Sequence, residues 1–137
     1  MDLTIADLAK FAAALVRQDG LSRAAYNELL APSLYIATAH QFSNFGPKLP
    51  VNQQHRDLYA GLGVVTFADP LGAGFSKGGH DGQTANTLVC LKGTKNCVFL
   101  LSNGLRAGVS FPELVRTVLG DTGVPYHWEY GDHAGRS

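Results

Sequence analysis

An α+β fold, with helices packed on an antiparallel sheet, is what the order of periodic segments in this chain predicts. Two helix-period stretches come first. Several strand-period runs follow, joined by Gly- and Pro-bearing turns, and one more helix comes near the end. Helices and strands segregated in this way point to an antiparallel sheet rather than an alternating α/β arrangement. A length of 137 residues fits one domain, 1–137, with a tail over 124–137. That length supports a real core, burying roughly 70% of the unfolded chain's surface.

The first helix signal is Thr4, a good N-cap with Asp7 three residues on as its capping-box partner. Ile5, Leu8, Phe11, Ala12, Leu15 and Val16 then fall on one stripe. Asp19-Gly20 is expected to stop that helix, since glycine is the usual residue past a C-terminus. Ser22 caps a shorter helix whose apolar side is Tyr26, Leu29 and Leu30, and Pro32 marks its end. From Pro32 to about Asp57 the composition reads as a long loop with room for one short strand.

The β region opens with a strand expected over Leu58 to Phe67, despite Gly61 and Gly63. Asp69-Pro70-Leu71-Gly72 is a turn, and Gly74 to His80 a second strand. Thr87 to Leu91 and Asn96 to Leu101 are apolar arms joined by Lys92-Gly93-Thr94-Lys95, where Gly93 suits a two-residue type II′ hairpin. Both arms are nearly continuous in apolar residues, which implies a sheet covered on both faces. That register sets Cys90 opposite Cys97, at a hydrogen-bonded pair with Cα atoms about 5.5 Å apart. This is within disulfide reach. Two free cysteines packed as small hydrophobes are the simpler reading, and a disulfide the alternative. The pair is too close and too isolated for a zinc site.

Ser110 is expected to cap a last helix, with Pro112 in its first turn and Phe111, Leu114, Val115, Val118 and Leu119 on one side. Gly120 and Gly123 stop it. In the tail, His127, Glu129, Asp132 and His133 match no standard metal-ligand spacing, and the segment reads as an aromatic anchor packed on the sheet. His40 and His55 receive no role.

Formal net charge is zero and no dense Lys/Arg patch occurs, which argues against nucleic acid or an anionic membrane as partner. No apolar run approaches the roughly 20 residues of a membrane span. Met1-Asp2-Leu3-Thr4 shows neither the basic start nor the apolar run of an export leader.

The most informative stretch is Gly74-Phe75-Ser76-Lys77-Gly78-Gly79-His80-Asp81-Gly82, followed by the hairpin ending Leu101-Ser102-Asn103. It resembles the third motif of the penicillin-recognising serine hydrolases, the superfamily of β-lactamases, DD-peptidases and related esterases. That motif is a strand bearing Lys-Thr-Gly, Lys-Ser-Gly or His-Xaa-Gly, followed by a hairpin and a C-terminal helix. Thr4-Ile-Ala-Asp-Leu-Ala-Lys-Phe11 is similar to the family's Ser/Thr-Ala-Asp-Leu-Ala-Xaa-Phe helix. Leu58-Tyr-Ala-Gly-Leu-Gly63 is similar to its Tyr-Gly-Leu-Gly strand. The segments lie in the family's order and span nearly the whole chain.

The resemblance implies part of a β-lactamase/transpeptidase-like fold and an acyl-transfer site. Lys77 would hold a substrate carboxylate as a compact cation. Gly78 and Gly79 would let substrate backbone lie along the strand, although a β-bulge is the plainer reading of the pair. The backbone N–H of His80 would be one of two oxyanion donors. No cofactor or metal is implied. None of Ser22, Ser33, Ser43, Ser76, Ser102 or Ser110 has Lys three residues later, so the family's Ser-Xaa-Xaa-Lys nucleophile motif is absent, as is Tyr-Xaa-Asn. Both normally precede the Thr4 helix. The chain is therefore expected to be the C-terminal segment of such a hydrolase, inactive alone, with a small acyl substrate once joined to the rest. The alternative is a non-catalytic binding module, self-associating through an open sheet edge. Family members are often exported, and the sequence leaves the compartment open.

Overall fold

Thr4 and Asp7 do close a reciprocal capping box, and helix α1 runs over Ile5–Arg17. The computed structural model describes residues 3–41, 46–69 and 71–131. Helix α1 stops at Gln18, which takes the left-handed conformation with φ 67°. That is two residues before the glycine expected to do so. Ser22 caps helix α2, Arg23–Leu29, by accepting the Ala25 N–H. The strands are β1 (Leu34–Tyr35), β2 (Tyr59–Ala60), β3 (Val65–Asp69), β4 (Gly72–His80), β5 (Ala85–Leu91) and β6 (Asn96–Ser102). Helices α3 (Phe111–Leu119) and α4 (Tyr126–Tyr130) follow. Short 3₁₀ turns lie at Val51–Gln53 and Leu105–Ser110. The α+β class and the antiparallel sheet are as the sequence predicts.

The six strands form one antiparallel sheet in chain order, β1 to β6. The run expected as one strand over Leu58 to Phe67 is instead β2, a tight reversal and β3. Gly63 turns the chain with φ 82°, and Gly61 lies so close to α2 that an added Cβ would sit 2.8 Å from the Leu29 carbonyl oxygen. The β5–β6 hairpin also differs. Its loop is four residues, Lys92–Lys95, with the positive φ taken by Lys95 rather than by Gly93. Lengthening the loop shifts the hydrogen-bonding phase, so Cys90 and Cys97 face each other at a closely spaced pair, Cα atoms 4.1 Å apart. They form a disulfide. Ser110 does not cap α3. It sits in helical conformation with no side-chain cap bond, at the end of the 3₁₀ turn that leads into the helix.

Alternation along the strands divides the core in two. Phe75, Leu88 and Cys90 pack on one face against Ala12, Val16, Tyr26 and Leu30 of the N-terminal helices. Phe67, Val89, Leu91 and Val98 pack on the other against Val115 of α3, Trp128 of α4 and Val124 just before that helix. The predicted stripe of α1 is only partly covered. Ala12 and Val16 are buried, whereas Ile5 and Phe11 are 58% and 60% exposed.

Candidate functional site

Strand β4 outruns its neighbour. It pairs with β5 along its length from Gly74 to His80, with no bulge at the glycines, but β3 accompanies it only as far as Ser76. The hydrogen-bonding phase follows from one bond beyond the ladder, where the Lys92 N–H donates to the Ala73 carbonyl. Bonding pairs recur every second residue. Odd-numbered residues of β4 therefore bond toward β5, and even-numbered ones toward the β3 side. Past Ser76 this second group is Gly78 and His80, whose backbone N–H and C=O groups line an edge that no strand among the described residues covers.

A cavity of about 820 Å³ adjoins that edge. Ser76, Lys77 and Gly78 form one side, Ile36, Ala37 and Thr38 the far wall, and Trp128 and Glu129 part of its lining. Helix α4 is fixed there at three points. The Trp128 indole donates to Thr38 Oγ1 at 3.2 Å, the Trp128 carbonyl accepts from the Gln41 N–H at 2.8 Å, and the Tyr130 hydroxyl donates to the Asn86 carbonyl.

Glu129 is buried, with only 7% exposed. Its carboxylate fills the space a side chain at residue 78 would need: an added Cβ on Gly78 would lie 1.6 Å from Glu129 Oε1. The positive charge of Lys77 and the nearby Gly78 N–H both favour its ionised form. The Lys77 ammonium in turn donates to the Gly78 carbonyl at 2.9 Å. Burial outweighs both favourable contacts and lifts the Glu129 carboxyl to about 7. Burial, with Glu129 as a neighbouring negative charge, also pushes the Tyr126 and Tyr130 hydroxyls up.

The residues expected from the sequence thus separate. Lys77 and Gly78 meet at the cavity, and the His80 backbone lies on the same edge, its ring against Tyr130 with centroids 5.5 Å apart. Gly79 bonds toward β5 instead, and its small size matches Asn86, whose Oδ1 an added Cβ would approach to 3.1 Å. The Cys90–Cys97 disulfide belongs to the opposite face, with α1. In the tail, Asp132 and His133 lie outside the described residues. Among the described residues no group of three His, Cys, Asp or Glu could hold a metal ion, and no helix is long and apolar enough to cross a membrane. Glu129 was given no role from the sequence beyond its place in the tail. Its one hint there is an acid between two aromatic residues, Trp128 and Tyr130.

Searches against protein-family models, curated proteins and solved structures find no match for this chain.

Proposed function

We propose that this chain carries the substrate ledge of a penicillin-recognising serine hydrolase and does not complete the reaction alone. The substrate would be a β-lactam, a D-Ala-D-Ala peptide or an ester. The observation that supports the reading is the β4 edge from Lys77 to His80, which no strand among the described residues accompanies, beside the 820 Å³ cavity. An extended acyl substrate adds to such an edge as a strand would, through main-chain hydrogen bonds. Lys77 offers a cation for its carboxylate, and the His80 N–H a donor for the developing oxyanion. An attacking serine needs its base within hydrogen-bond reach, and no serine here has the partner lysine in sequence.

Two measurements test this. Incubation with a penicillin, and separately with a fluorophosphonate, should leave the intact mass unchanged. A stoichiometric adduct on one serine would refute the claim of inactivity. Titration with N-acetyl-D-alanyl-D-alanine should shift backbone amide resonances between Lys77 and His80, and K77A should abolish the shifts. Shifts confined to another region would refute the ledge.

A second reading, a self-associating module, is favoured by β6. Among the described residues it pairs only with β5 and forms one outer edge of the sheet. Ile5 of α1 and Val118 of α3 border a groove along it and are 58% and 64% exposed. A strand added there would be covered on both faces. Light scattering on a size-exclusion column should then show a dimer at high concentration, and a clean monomer would count against this reading.

A further inference from the structure

The two features expected to receive a substrate carboxylate, a cation and an edge N–H, already have one beside them. The Glu129 carboxylate lies against Gly78 and lines the same cavity as Lys77. We infer that Glu129 is a tethered stand-in for the ligand's carboxylate, occupying the Lys77–Gly78 seat until an incoming carboxylate displaces it. The inference rests on the ledge reading above.

Three observations carry it. First, a buried carboxylate costs stability unless an ion pair and further hydrogen bonds compensate it. Glu129 forms no ion pair within 4.0 Å among the described residues, so its place in the core is not explained by a salt bridge. Natural proteins carry such locally unfavourable choices at functional sites. Second, the fit is specific to residue 78. Any side chain there would collide with the carboxylate, so the glycine serves Glu129 as well as a substrate backbone. Third, the helix bearing Glu129 is held by Trp128 and Tyr130, through Thr38, Gln41 and Asn86. The side chain therefore has room to leave the seat for the adjoining cavity while α4 stays docked.

A seat that is empty for only a fraction of the time binds its ligand more weakly by that fraction. Emptying it should tighten binding. The test is an amide-resonance titration of ¹⁵N-labelled chain with N-acetyl-D-alanyl-D-alanine, comparing wild type, E129Q, E129A and K77A/E129A. We expect E129A to bind about tenfold more tightly than wild type, as for a seat vacant roughly a tenth of the time. E129Q, which keeps the shape of the residue without its charge, should gain less, and K77A/E129A should lose the gain. Should E129A fold poorly, E129Q alone decides the matter. Binding by wild type that neither variant improves would overturn the stand-in and leave the ledge standing. No response from any of the four would overturn both. A gain that survives in K77A/E129A would keep the stand-in and remove Lys77 as the carboxylate's partner.

Discussion

Replacing Glu129 with Gln should stop the fold from losing stability as the solution turns from acid to alkaline. Burial raises this carboxyl from 4.5 to about 7 in the folded chain, against the pull of Lys77 and the Gly78 N–H. Between those two values the folded state holds a proton that the unfolded state has released. Stability from this group is therefore complete below about pH 4.5 and lost as pH rises through 7. At about 1.4 kcal/mol for each tenfold change, the full loss is about 3 kcal/mol. The charged and titratable groups around Glu129 are Lys77 on β4, Lys48 at the cavity wall, and Tyr126 and Tyr130 on its own helix. The tyrosines are pushed above their ordinary range and stay neutral throughout. The assay is urea unfolding of wild type and E129Q at pH 5 and pH 8.5. The His55 imidazole, pushed down by its own burial, acts on both proteins alike and cancels in the comparison. Relative to wild type, E129Q should gain about 2–3 kcal/mol between the two pH values. Parallel behaviour of the two proteins would refute the buried ionisable Glu129 on which the stand-in depends.

Other substitutions probe neighbouring features. G78A should destabilise by about 1–3 kcal/mol, as overpacking does, and E129A in the same chain should recover most of it. A double-mutant cycle by chemical denaturation would show this coupling, and additive effects would contradict the contact. Reducing the Cys90–Cys97 disulfide, which closes a loop of sequence separation 7, should cost about 2.5 kcal/mol of stability, read from unfolding with and without reductant. T4A removes the hydroxyl that accepts the Asp7 N–H and should cost about 1 kcal/mol, with faster amide exchange confined to the first turn of α1.

Element types were legible in the sequence because each follows a local rule. Thr4 with Asp7 and the stripe through Ala12 and Val16 announce α1, and the unbroken apolar arms around Lys92–Lys95 announce a doubly covered hairpin. Reversals inside apolar runs were harder to read. Gly61 to Val64 turns the chain between β2 and β3 through the positive φ of Gly63, and Gly61 lies against the Leu29 carbonyl, a contact with another element that no local pattern encodes. The disulfide phase failed for a related reason. A positive φ at Lys95 instead of Gly93 goes with a four-residue loop, which keeps Cys90 opposite Cys97 but moves the hydrogen-bonding phase of the pairs behind it by one residue. At the candidate site, Lys77 and Gly78 stood out by resemblance alone. Glu129 did not, because nothing in a segment read as an anchor reveals that its acid folds back 51 residues onto Gly78.

The strictly sequential sheet has a consequence for how the chain matures. Every strand pairs with its neighbours in sequence, so the sheet can grow one hairpin at a time from β1 to β6, with short loop closures after β2. The first helix does not follow that order. Ala12 packs beside Cys97, 85 residues further on, and its apolar stripe has no home until β5 and β6 exist. At synthesis rates of 5–20 residues per second that interval is roughly 4 to 17 seconds. During it, the half of the core that α1 covers stays open to any other apolar surface the nascent chain meets.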